Sequence, residues 1–287
     1  MRDQRSGRSV TGRRSGETWP VSKYRFPFRL GSTSYVYEDD ILPNVRRLAR
    51  VVDDVELVLF EVDEYCNLPD PATVDELKRL AAAHGMTYTV HLPLDLRLAA
   101  SDAQTQHPSI EKALKVIHVT RPLTPWAYVL HLDGDEPLAA GTATAWARWR
   151  DESVRALEQL VPAAGDPSLL CAENLERYPP DHIFPVLERL PVSLCLDVGH
   201  LWVQHRDPLP YLRTWLSRTR VVHLHGVAER DHKSLLHAPP RSLRGVLDEL
   251  YRRRYEGVVT LEVFNQHDFF SSREVLRQWM GSVRPRK

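Results

Sequence analysis

From Phe26 onward the hydrophobic positions of the chain switch between two periods. Short runs rich in Val, Ile, Leu, Tyr and Phe alternate residue by residue, and longer runs repeat their apolar positions every three or four residues. The first pattern predicts strands and the second helices. Strands are expected at Phe28–Thr33, Val55–Phe60, Thr87–His91, Tyr128–Leu132, Leu169–Glu173, Val192–Asp197, Arg220–His225 and Val258–Val263. Helices are expected at Ile41–Ala49, Val74–Ala83, Ile110–Val119, Ala143–Leu160, His182–Leu190, Tyr211–Leu216, Leu243–Arg253 and Arg273–Met280. Thr73 and Glu76 have capping-box spacing, and Gly85 follows His84 where that helix would end. Eight strand–helix alternations without an internal linker match one (β/α)8 TIM barrel over residues 25–287. An open doubly wound sheet would carry a glycine fingerprint after its first strand, and none is present.

Residues 1–24 lack this periodicity. Met1–Pro20 holds five arginines among Ser and Gly and is expected to be a disordered tail. The 38 basic and 38 acidic residues of the 287-residue chain balance, so no net charge draws it to duplex nucleic acid. No apolar run reaches the roughly 20 residues of a membrane helix. Three cysteines without a CxxC pair exclude a disulfide scaffold and a thiolate zinc knuckle, and point to a reduced, cytoplasmic setting.

The placement of some of the 13 histidines changes the picture. Alternate residues of a barrel strand face inward. By that rule His91, His131, Glu173, Asp197, His223 and Glu262 all face inward at the C-terminal ends of their strands, where barrels of this kind carry chemistry. His225 shares the inner face with His223, and His200, Asp231 and His232 follow in loops. Any one such residue is more often a hydrogen-bonded core or rim group. Collected at one rim, neutral imidazoles and unpaired carboxylates would be costly without a cation. Imidazole and carboxylate donors without thiolate suit Zn, Mn, Fe or Co. Cys171 and Cys195, inward and deeper, read as small core residues.

In their order, His91, His131, Glu173-Asn174, Asp197-x-x-His200, His223-Leu224, Asp231-His232 and Glu262 resemble the xylose-isomerase-like barrel superfamily, and within it the apurinic-endonuclease branch. The resemblance implies two or three divalent ions, with zinc or manganese expected. His91 and His131 would hold the first, Glu173 would bridge to the second, and Asp197, His223 and Glu262 would complete that one. His200, His232 and an aspartate would hold the third. Here the chain departs from the branch, because Arg230 stands at the usual aspartate position and Asp231 adjoins the histidine. The superfamily's sugar isomerases and epimerases share only a Glu–Asp–His–Glu set around one ion, matching Glu173, Asp197, His223 and Glu262. His91, His131 and His232 are superfluous to that chemistry, so they favour a multinuclear phosphodiester hydrolase. Glu173 would then be a bridging ligand and base, with Glu262 as its carboxylate partner. His225 and Lys233 are candidates to contact substrate phosphate, His225 equally to position a ligand. A non-catalytic metal or corrinoid binder is the remaining alternative.

An apurinic-site DNA endonuclease is less favoured. The loops Leu94–Pro108 and Asp133–Thr142 are expected to shape the pocket, and Arg97 is the only Lys or Arg in them. A small phosphodiester fits better than duplex DNA. Phe26–Tyr35, Asp40–Val45 and Asp54–Glu61 resemble cobamide-remodelling phosphodiesterases. That resemblance implies hydrolysis of the phosphoribosyl linkage in a cobamide nucleotide loop, hence a corrinoid substrate.

Overall fold

Eight short strands carry an alternation of bulky apolar and polar residues, and they close on one another edge to edge. They are β1 (Arg29–Thr33), β2 (Asp54–Val58), β3 (Thr87–His91), β4 (Ala127–Leu130), β5 (Leu170–Glu173), β6 (Ser193–Asp197), β7 (Thr219–Leu224) and β8 (Val258–Leu261). All pair in parallel in sequence order, and β8 returns to β1 with Arg29 opposite Val258 and Ser32 opposite Leu261. This is the expected single (β/α)8 barrel. The structure, a computed structural model, describes residues 22–62 and 65–283, so nearly all of the expected tail lies outside the described residues.

The alternation sorts the core into two layers. Leu30, Val55, Leu57, Tyr88, Val90, Leu194, Leu196, Val222, Leu224, Val259 and Leu261 face the helices and merge with their apolar stripes. Inside the barrel Ala127, Val129, Cys171, Cys195 and Val221 form a small separate plug. Burial pushes the Cys171 thiol up to about 12, as suits an inert packing residue. Above the plug, toward the strands' C-terminal ends, the inner positions turn polar.

Helix α1 (Ile41–Leu48) follows β1, and α2 (Pro71–His84) follows β2. The expected Thr73/Glu76 capping box is replaced: α2 starts at Pro71, and Asp70 accepts from the Thr73 N–H at 2.7 Å. Proline at the first helical position loses no bond there, so the start moves upstream. Gly85 ends α2 at φ 58, as its position implied. The Leu94–Pro108 loop is shorter than expected, because α3 (Ala103–Thr120) starts at the Asp102 cap and runs through Pro108. The Asp133–Thr142 loop holds a further helix, α4 (Asp135–Ala140), ahead of α5 (Ala143–Ala164). The expected His182–Leu190 helix shrinks to α6 (Phe184–Leu187). An unforeseen turn of helix, α7 (Val198–Val203), springs from Asp197, whose carboxylate accepts from the His200 N–H at 2.6 Å. The outer ring ends with α8 (Pro208–Trp215), α9 (Pro240–Arg252) and α10 (Gln266–Val283). No helix among the described residues is long and apolar enough to cross a membrane.

Candidate metal centre

Three strands end one residue before the side chain that matters. His131, His225 and Glu262 follow β4, β7 and β8 directly, whereas His91, Glu173 and Asp197 are the last residues of β3, β5 and β6. The parallel barrel brings these ends to one rim. Glu173 lies at its middle, with Oε2 2.9 Å from His131 Nε2 and 3.4 Å from His91 Nε2, and Oε1 2.8 Å from His223 Nδ1. His223 Nδ1 also lies 3.2 Å from Glu262 Oε2 and 3.8 Å from Asp197 Oδ2. Asn174 pins the rim by exchanging hydrogen bonds of 2.8 Å with the Asp197 backbone.

Tautomers are fixed from behind. A carbonyl can only accept, so His91 Nδ1 donates to Leu92 O at 2.8 Å and His200 Nδ1 to Asn174 O at 2.9 Å. His223 Nε2 donates to Glu56 Oε2 at 2.9 Å. A neutral ring held in this way turns its other nitrogen bare toward carboxylates, acceptor against acceptor. Only a proton or a cation between them relieves that. Asp197 Oδ2, Glu262 Oε2, Glu56 Oε1, His225 Nε2 and His232 Nδ1 are buried without a hydrogen-bond partner.

The electrostatics have the same origin. Burial pushes the Glu173 and Glu262 carboxyls up, but His223 and the neighbouring rings overcome it and hold both well below the usual range. Burial disfavours charge on His223, yet the Cys195, Glu262, Glu56 and Glu173 groups around it raise its pKa well above the ordinary value. Against the same burial, Asp197, Glu173 and Glu262 lift His200 to about 9. Burial prevails at His232, which falls below its usual value. The nest calls for positive charge, and these donors suit a divalent metal that would supply it.

Donor atoms within 4.8 Å of one another fall into adjoining groups: His91, His131 and Glu173; Glu173, Asp197, His223 and Glu262; and His200, His225 and His232. The third group differs from the sequence expectation. His225 is fully buried, with Nε2 3.3 Å from Asp197 Oδ1, and does not face the open mouth. Its Nδ1 accepts from the His232 N–H at 3.0 Å, a reach made by the left-handed backbone of His232 at φ 54. Asp231 lies outside the group, its carboxylate 3.9 Å from His232 Nδ1 and partly exposed. Lys233 is tied through its backbone to Gly226. Room for the His225 ring exists because residue 199 is glycine: a Cβ there would come 2.1 Å from His225 Cε1.

Glu56 went unnoticed in the sequence, although Val55-Glu56-Leu57 alternation alone turns it inward beneath His223. It completes a further group with His91 and Glu262. Glu176, 3.5 Å from His200 Nε2, carried no sequence signal.

A closed parallel barrel with histidines and carboxylates gathered at its C-terminal rim is the architecture of metal-dependent barrel enzymes. The sequence pattern of the xylose isomerase-like TIM barrel family matches residues 47–283, and the chain belongs to that family. No curated protein matches the sequence. Among solved structures, a D-tagatose 3-epimerase-like protein is similar at 18% identity and a TM-score of 0.74, covering 89% of this chain and 98% of its own. Endonuclease IV from Thermus thermophilus is similar at 17% identity and a TM-score of 0.67, over 89% and 100%. A second Thermus thermophilus protein, from a crystal soaked with ZnCl2, is similar at 21% identity and a TM-score of 0.62, over 90% and 100%. At such identities the likeness establishes the fold, and fold alone does not assign a reaction.

Proposed function

We propose that the chain is a metal-dependent phosphodiester hydrolase acting on a small substrate, the phosphoribosyl linkage of a cobamide nucleotide loop. One observation carries the hydrolase reading. His91 and His131 converge on Glu173 beside the Glu173–Asp197–His223–Glu262 set, a second donor group that a single-ion isomerase leaves unused. The corrinoid substrate rests on the resemblance of the Phe26–Tyr35, Asp40–Val45 and Asp54–Glu61 segments. We take residues 25–287 as the catalytic unit, working in a reduced, cytoplasmic setting.

Two or three divalent ions, zinc or manganese, would supply Lewis acidity and make a water acidic enough to attack at neutral pH. The residues fit that role. His91 and His131 would hold one ion, Asp197, His223 and Glu262 a second, with Glu173 between the two, and His200 and His232 a third, with Asp231 completing it. Glu173 and Glu262, the carboxylates on either side of His223, would take the proton of the attacking water. His225, with Nε2 3.3 Å from Asp197 Oδ1, would position that carboxylate, and Lys233 would add positive charge next to His232 for the substrate phosphate. Duplex DNA is a poorer substrate for this mouth, because Arg97 is paired with Asp133 at 2.7 Å and Arg177 with Asp135 at 2.9 Å.

The four-residue set also supports a second reading, a sugar isomerase or epimerase whose two glutamates shuttle protons. Metal-loaded protein offered cobalamin, a generic phosphodiester and a ketose phosphate separates the two. Phosphodiester cleavage lost in a folded His91→Ala protein is the expected result. Ketose turnover that survives His91→Ala and His131→Ala would replace hydrolysis with isomerisation.

A further inference from the structure

The opposite, N-terminal end of the barrel holds a second concavity that the proposed chemistry does not use. Residues just before or at the starts of β4 to β8 surround a cavity of about 600 Å3. Five arginines line it, Arg213, Arg218, Arg220, Arg253 and Arg254, against a single acid, Glu256.

Four of these guanidinium groups are anchored through one nitrogen each. Arg218 donates through Nη2 to the carbonyls of Leu187, Leu190 and Val192. Arg220 donates through Nε to the Trp126 carbonyl, with its guanidinium carbon 4.2 Å from the indole ring centre. Arg213 and Arg253 approach the buried Glu249 through Nε, at 3.5 and 3.1 Å. The Arg254 guanidinium, on a residue at φ 53, has no partner among the described residues. A guanidinium has five N–H donors, so every one of them keeps donors to spare. Glu249 is shared with Arg252 as well, so Glu249 and Glu256 leave the wall strongly positive. Cations gathered around one concavity repel one another, an anion relieves that repulsion, and concave walls concentrate their field. Guanidinium forks match the oxygens of a phosphate.

We propose that this cavity is a binding site for a small phosphate-bearing anion, remote from the metal centre. Calorimetric titration of the full chain with inorganic phosphate, pyrophosphate and AMP, at low ionic strength, tests it. Prior treatment with a chelator keeps phosphate binding at the metal centre out of the signal. The expected result is saturable one-to-one binding, weakened by added salt and at least tenfold weaker in Arg213→Ala/Arg254→Asn, whose side chains tie no backbone carbonyl. The tightest of the three probes tells whether the site prefers free phosphate or an ester. If the double variant melts well below the parent, Arg254→Asn alone at its exposed position is expected to weaken binding in the same direction. Saturation by none of the probes, or binding that both arginine variants leave unchanged, overturns the site.

Discussion

Glu56 fixes the protonated face of His223. By accepting from Nε2 it leaves Nδ1 to face Glu173, Asp197 and Glu262, where a cation can take the place of its proton. Glu56→Gln presents an amide that can offer either an oxygen or an NH2, so the ring loses its fixed tautomer. Metal affinity, measured by competition with a chromogenic chelator, is expected to fall 10- to 100-fold, as for other removed carboxylate–histidine supports, with the fold retained. His182 behaves in the opposite way. It is buried among Trp146, Trp149 and Tyr178, and burial drives its pKa down to about 4 from an ordinary 6.5. The fold therefore holds the neutral ring: its contribution is complete above pH 6.5 and is lost as pH falls from there toward 4. In His182→Phe, denaturant melts across that window should lose up to about 3 kcal/mol of the parent's acid sensitivity. Single side chains were unequally legible in the sequence. His91, Glu173 and Asp197 end their strands and His223 lies one residue before the end of β7; the alternation there is strong, so their direction follows from it. The role of His225 depends on a left-handed backbone at His232 and on space at Gly199, neither of which periodicity encodes.

Gly199 links a single position to a whole element. It lies inside α7, and the His225 ring occupies the space a side chain would need. Gly199→Ala should push α7 off the rim or drive His225 away from Asp197. The expected outcome is loss of the ion proposed for His200 and His232, counted by metal analysis of the purified protein, with far-UV circular dichroism little changed. Strand positions were readable because each strand buries an apolar face against the helices; β3 matches its expected bounds, β1, β5 and β6 are overrun by one residue at their starts, and β2, β4, β7 and β8 by one or two at their ends. The start of α3 was not readable. Its first turns, from Ala103 to Pro108, are largely exposed, so they show no apolar period, and their signal is the Asp102 cap accepting from the Thr105 N–H at 2.9 Å. The α4 turn is similarly short of buried residues, with Pro137 alone inside.

Across the molecule, four buried carboxylates, Glu56, Glu173, Asp197 and Glu262, stand against a ring of histidines. Without metal, protons must offset the charge, and with metal they must leave. Metal affinity is therefore expected to rise with pH as His200 gives up a proton near pH 9, with proton release seen on metal addition to weakly buffered protein. Stripping the metal should lower the melting temperature. An ion held at 100 times its Kd contributes about 2.7 kcal/mol that the chelated protein lacks. The barrel class was legible from eight alternations of period, which is a property of the whole chain. The arginine-lined cavity at the other end was not, because its members come from five separate connections and only closure assembles them.

Closure also imposes an order in time. Strand β8 fits between β7 and β1, and Glu262 follows it directly. During synthesis on the ribosome His91, His131 and Glu173 emerge before Glu262 does, and for that interval the Glu173–Asp197–His223–Glu262 set lacks its last member. Full occupancy of the rim is thus an event of the finished polypeptide, and a cell that starves for the ion after translation has ended would accumulate folded but vacant barrels.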